Sequence, residues 1–227
     1  MKGEILPQTS TGAQFNIIKH RDFYTVQRVL LPKGAIGDVQ VTSNLLNDGH
    51  PGTQSELAKT GWLGSAPLIT ALYTTLYYKQ GHEGVEELRK LFADDYRRHM
   101  MMTATGITYR AEPPDLVTHN FGTPAAHTLE ARLVWPNGYV DARMGDVTQA
   151  LLGNTAAGRV MEVYEWVTGK KPSLLRVNYR PNQDVERALV IGCNLGGFLI
   201  LASDDINLGR HARGVRVAPP SSTGSKG

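Results

Sequence analysis

The sequence predicts an α+β fold of small antiparallel sheets with flanking helices, and three observations predict it. Short Val-, Ile- and Leu-rich runs, bounded by Gly, Pro, Asn and Asp, open and close the chain. Between residues 65 and 102 the apolar residues recur every three or four positions, the period of a helix. A further helical stripe at 156–167 is followed by strands again, so strands and helices come in groups and not in regular βαβ alternation.

The elements follow in order. Residues 1–15 are polar and read as loose. Asp22 to Leu31 alternates well enough for a strand and stops at Pro32-Lys33-Gly34; Asp38 to Thr42 reads as a short second strand. Residues 44–61 read as loop, with Asn47-Asp48-Gly49 and Pro51-Gly52 as turn formers. Ser65 caps a helix, and Pro67 falls in its first turn, where a missing N–H costs nothing. Leu68, Leu72, Leu76 and Tyr77 share one face of it until Gly81. A second helix is expected from about Glu83 to Met102, striped by Val85, Leu88, Leu91, Phe92, Tyr96 and Met100, with the three methionines as core filler at its end. Strands follow at 105–111, 116–120 and 128–135, then a short helix at 147–152 and a long one at 156–167 ended by Gly169. Leu174 to Arg180 is a strand leading into three more, at 188–193, 198–202 and 214–218. Residues 1–218 read as one domain without internal repeat, and 219–227 as a disordered tail.

Composition excludes several classes. At 227 residues, 41% hydrophobic and 20% charged, the chain can bury a core without staples. The net charge of +3, with no basic run longer than Arg97-Arg98 or Lys170-Lys171, argues against a nucleic-acid partner. The single cysteine, Cys193, excludes an intrachain disulfide and a thiolate metal cluster, and reads as a small buried hydrophobe. The first residues carry no apolar run of the secretory type, and the longest apolar stretch, 188–202, is broken by Asn194 and glycines; no membrane insertion is expected.

No catalytic signature emerges. Gly-x-Ser-x-Gly, a P-loop and His-Glu-x-x-His are absent. The glycine-rich run 192–197 lies between two strands, so it offers no helix N-terminus to a phosphate and reads as a hairpin turn. The seven histidines show no pair at ligand spacing, and His119 reads as a strand residue. Asp204-Asp205 lacks the further oxygens a hard cation needs and reads as a turn.

The segment 187–217 is the unusual one. From Ala188 to Ser225 there is no Lys, Glu, Gln, Met or Trp, although all five occur earlier in the chain. A codon of the form AAY altered only at its adenines reaches fifteen amino acids and misses those same five. The strands here also lack the apolar/polar alternation of a half-wetted sheet. Two explanations stand side by side: a buried hairpin without surface lysines, or a set of positions rewritten at adenines for binding.

Short motifs favour the second. His119-Asn120-Phe121-Gly122-Thr123-Pro124, Ala150-Leu151-Leu152-Gly153, Glu165-Trp166-Val167-Thr168-Gly169, Leu175-Arg176-Val177-Asn178, Glu186-Arg187 and Gly214-Val215-Arg216-Val217 occur in that order over the last half of the chain. Together they resemble the variable proteins of archaeal, Nanoarchaeota-type diversity-generating retroelements. More loosely, Arg176-Val177 leading through a hairpin to Gly-Val-Arg-Val resembles the end of C-type-lectin folds, formylglycine-generating enzymes included. The resemblance implies a C-type-lectin-like fold with its first and last strands paired. It also implies a solvent-facing platform of diversified residues, within about 176–213, that binds a cell-surface protein or glycan without catalysis or cofactor. The positions expected there are Gly192, Asn194, Gly196, Gly197, Phe198, Ile200, Ala202, Asp204, Asp205, Asn207, Gly209, Arg210 and His211, joined by Tyr179 and Asn182 from the preceding turn. The alternatives are an oxidoreductase of the formylglycine-generating type, which needs a copper-binding cysteine pair that Cys193 alone does not supply, and an undiversified attachment protein of the same fold.

Overall fold

A computed structural model describes residues 14–130, 138–140, 145–154, 156–177, 179–194 and 197–219, with Asp48 and Asn194 described by backbone alone. The expected loose residues 1–13, the tail 220–227, the second half of the expected 128–135 strand, and Gly196 lie outside the described residues.

Ten strands and five α-helices are described: β1 (Ile17–Lys19), β2 (Phe23–Leu30), β3 (Ile36–Leu45), α1 (Gln54–Lys59), α2 (Ala66–Tyr78), α3 (Val85–Arg98), β4 (Met100–Tyr109), β5 (Asp115–Thr118), β6 (His127–Leu129), α4 (Gly145–Leu152), α5 (Ala157–Thr168), β7 (Pro172–Arg176), β8 (Val185–Asn194), β9 (Gly197–Asp205) and β10 (Arg213–Val217). They form a mixed α+β structure with a four-stranded sheet, ordered β1-β2-β3-β10, and a six-stranded sheet, ordered β6-β5-β4-β8-β9-β7. The last strand is therefore paired, but with β3; β1 lies at the opposite edge of that sheet, so the expected pairing of first and last strands is not what these residues make. The sheets are also not wholly antiparallel, because β7 runs parallel to β9.

Local chemistry explains most boundaries. Ser65 accepts from the Leu68 N–H and so caps α2, with a proline in the first turn. Thr53 and Glu56 form a reciprocal capping box that starts α1 inside the stretch expected to be loop. The helix expected to reach Met102 stops at Arg98, because His99 turns to extended backbone and Met100, Met101 and Met102 pair across from Gly192, Ile191 and Val190. The methionines still fill core, Met101 and Met102 being buried, but they do so as a strand.

One large core joins the back of the six-stranded sheet to the helices. Leu72, Tyr73 and Leu76 of α2, Leu88, Phe92 and Tyr96 of α3 and Val163, Tyr164 and Val167 of α5 pack with Ile107, Val117, Leu189, Ile191, Phe198, Ile200 and Ala202 of the sheet. The front of the same sheet carries a second, smaller core, in which Met102, Ala188 and Val190 meet Leu46, Leu57 and Ala212. Both faces are thus covered over the middle of β8 and β9. Strands buried on both sides read as continuous apolar runs, which is why alternation is missing there.

Candidate functional site

The placement of the expected binding residues follows from the parity of β8 and β9. Successive side chains of a strand point to opposite faces, so one set must take the helical side. Phe198, Ile200 and Ala202 take it. Phe198 is 2% exposed and its ring meets those of Tyr96 and Tyr164 at centroid distances of 5.5 and 6.2 Å. These three residues are core, not a solvent-facing platform. Gly192 faces forward but has no room for a side chain, since a Cβ there lies 2.3 Å from the His99 carbonyl oxygen and 2.9 Å from the Met100 Cα. That glycine is required by the close approach of β4 and β8.

A register shift in β9 between the Val190 and Ala188 pairings puts Asp204 directly across from Ala188. Asp204 is 8% exposed and receives two hydrogen bonds from Arg210, at 2.8 and 3.2 Å. This pair closes the return loop on itself. Gly209 packs with little clearance on Pro51, and Arg210 exchanges backbone hydrogen bonds with Gly52. The His211 ring lies against that of His99, centroids 3.9 Å apart and planes tilted by 43°. Burial lowers the His211 pKa first, and the neighbouring His99 and His50 lower it further.

The outward-facing members are fewer. Asp205, Asn207 and Leu208 are exposed, Leu208 by 44%, in a turn closed by the Leu208 N–H to the Asp205 carbonyl. Arg210, His211 and Gly197 are half-buried. Tyr179, 61% exposed, and Asn182 are also on the surface, but at the other end of β4, where Arg180 and Asp184 bond to the backbone of Ala111. So the structure gathers 205–211 beside residues 50–54 and leaves 179 and 182 apart from them.

The bounds of the expected variable segment are themselves buried. Arg176 and Asp115, 1% and 4% exposed in their side chains, form an ion pair at 2.5 Å. Arg213 makes two hydrogen bonds to Asp95 of α3 and a third, at 2.8 Å, to the Thr42 carbonyl of β3. Both carboxylates come from outside 176–213.

Below the small front core the sheet opens into a cleft of about 270 Å³, lined by residues of β4, β5, β8, the start of α1, the 121–123 turn and Ile206. Gly106, Thr108, Thr118 and Glu186 share its floor by register: Gly106 pairs with Thr118 and Ala188, and Thr108 with Glu186. Gln54 closes one side. It is 2% exposed, and its amide nitrogen donates to the carbonyls of Thr103 and Thr105 at 2.8 and 3.2 Å. Phe121, 40% exposed, stands on the other side at the tip of a turn held by Thr123 bonding to the Asn120 carbonyl, with Gly122 at φ +81°. Sequence reasoning singled out 119–124 without giving it a task, and read the Gln54 region as loop; the Thr53-x-x-Glu56 spacing was the signal for α1. His119, at the start of that motif, has its pKa lowered to about 4, by burial first and then by His127 and Lys33. A second cleft of about 310 Å³, between the end of β2 and α2, shares no residue with 185–217.

Among the described residues, no group of three or more His, Cys, Asp or Glu is arranged to hold a metal ion, and no helix is long and apolar enough to cross a membrane. No protein-family model, curated protein or solved structure matches the chain.

Proposed function

We propose that this chain is a ligand-binding protein of the C-type-lectin-like kind, without catalysis, whose exposed residues near the carboxyl end are rewritten by a diversity-generating retroelement. The observation that carries the reading is the absence of Lys, Glu, Gln, Met and Trp from 188–225. At buried positions such as Ala188, Val190, Ile200 and Ala202, packing alone excludes most of these types, so the absence has no weight there. It has weight at the surface, where Lys, Glu and Gln are ordinary. Ser203, Asp205, Asn207, Leu208, Arg210 and His211 are all exposed or half-buried, and none is of an excluded type. The ligand in this reading is a macromolecule, a cell-surface protein or glycan, met by the 205–211 turn.

The test is genomic. The gene should be followed by an adenine-bearing near-copy of its 3′ end and by a reverse-transcriptase gene. Mismatches between copy and gene should fall at template adenines and concentrate in the codons for 203–211, sparing Gly192, Phe198, Ile200 and Ala202. A locus with neither near-copy nor reverse transcriptase sinks the reading.

A further inference from the structure

The cleft below the 205–211 turn has the chemistry of a sugar subsite. Its most telling group is Gln54. The side chain is 2% exposed, both of its hydrogen bonds use the amide nitrogen, and the amide oxygen has no donor among the described residues. That oxygen borders the cleft, 3.9 Å from where a Cβ on Gly106 would sit. An acceptor on a nearly buried side chain that opens on a cavity is a place for a ligand's donor. The hydroxyls of Thr108 and Thr118 and the carboxylate of Glu186 face the same space by register and make no hydrogen bond or ion pair among the described residues. Phe121 adds a half-exposed ring at the wall.

We propose that this cleft binds one pyranose ring of a glycan. The argument is one of complementarity. Two neutral hydroxyls, an amide oxygen and a carboxylate ask for a ligand rich in O–H donors that can also accept, and a lone cation or anion supplies only one of the two. The aromatic wall asks for an apolar C–H face, which a pyranose also has. The volume, about 270 Å³, lies just under the range of about 300–1,000 Å³ typical of drug-sized ligands, so one ring fits and the rest of the chain leaves over the rim. Ile206 lines that rim at the start of the variable turn, and the Gln54 N–H bonds to its carbonyl at 3.3 Å. The floor residues 106, 108, 118 and 186 and the walls 54 and 121 all precede residue 188, so the ring is held below while the 205–211 turn above meets what is attached to it. The inference rests on the binding-protein reading, but not on diversification.

The experiment is saturation-transfer NMR on the full chain with methyl pyranosides of glucose, galactose, mannose, N-acetylglucosamine and fucose at millimolar concentration. At least one should receive saturation. Phe121→Ala should weaken it by about tenfold or more, the loss that one good contact carries, and Phe121→Tyr should restore it. Gly106→Ala should also weaken it, because its methyl group covers the Gln54 oxygen while meeting only the Arg187 carbonyl at 3.4 Å, so the fold is kept. Ile36→Ala, on the exposed side of β3 and outside the cleft, should leave monosaccharide binding unchanged. No saturation of any pyranoside, or saturation that survives both Phe121→Ala and Gly106→Ala, overturns the assignment. So does a random peptide pool whose binding depends on Phe121 in the absence of any sugar signal, which assigns the cleft to a protein side chain. The genomic test stands or falls apart from all of these.

Discussion

Replacing Phe198 separates a recognition residue from a core residue in a single measurement. Its ring is 2% exposed and lies edge-on to Tyr96 at 5.5 Å, with Tyr164 at 6.2 Å. Truncation to alanine removes the buried ring and leaves a cavity among aromatic rings that are themselves buried. Phe→Ala changes at such sites cost about 3–5 kcal/mol, a large part of the roughly 5–15 kcal/mol that holds a protein folded. With a urea slope near 3 kcal/mol/M, the upper end for small proteins, the unfolding midpoint should fall by about 1–2 M. Leu208→Ala on the exposed turn should move it by no more than the equivalent of about 0.5 kcal/mol. Urea titrations followed by circular dichroism and tryptophan fluorescence give both numbers. If the two variants unfold at the same midpoint, Phe198 is not the core residue described above.

Three further outcomes are expected. Asp95→Ala leaves the Arg213 guanidinium buried without its carboxylate and should cost about 3–5 kcal/mol by the same titration; a cost near zero would mean that water reaches the arginine. Gly192→Ala forces apart the backbones of β4 and β8 and should cost at least about 1–3 kcal/mol, with hydrogen exchange of the Met100–Met102 amides accelerated most. His119 has a folded pKa of about 4 against an ordinary value of 6.5, so the unfolded chain binds its proton first. Its contribution is complete above pH 6.5 and is lost as the pH falls toward 4. About 2 kcal/mol should disappear between pH 7.5 and 5. His119→Gln should flatten that part of the stability profile, and an unchanged profile refutes the assignment.

The helices at 66–78 and 157–168 were legible because an apolar stripe meets a terminal signal in each, Ser65 with Pro67 at the start of the first and Gly169 in left-handed backbone at the end of the second. Helix α3 was legible at its beginning only. Nothing local distinguishes Met100–Met102 from a last helical turn; their strand pairing with 190–192 is decided by residues about ninety positions away. The burial of three expected site residues was hidden for a related reason. In a strand wetted on one side, alternation tells which residues point out. β8 and β9 are covered on both faces, so the sequence carries no parity signal, and the wrong set, Phe198, Ile200 and Ala202, was read as surface. The β9 register shift then moves Asp204 to the front face, a change of parity that local sequence does not announce.

The arrangement nevertheless explains how exposed residues in 176–213 could change without loosening the fold. At its start Arg176 is held by Asp115, and at its end Arg213 is held by Asp95, both pairs being nearly free of solvent. A buried ion pair adds little net stability compared with apolar packing, but it is intolerant of displacement, because moving either charge leaves the other unpaired in a poor solvent. The two pairs therefore act as register pins more than as glue. Between them, the backward-facing side chains bind β8 and β9 to the helices, and Ala212 with Val190 closes the front. What remains is a turn, 205–211, whose backbone is tied to Gly52 and Gln54 through main-chain hydrogen bonds that every residue but a proline at 210 permits. Variation at the exposed positions of that turn, Asp205, Asn207 and Leu208, changes the surface presented to a ligand while the pinned ends, the covered strands, the Arg210–Asp204 pair and the backbone ties stay the same. Variation at the pins or at the backward parity would instead be read first as unfolding.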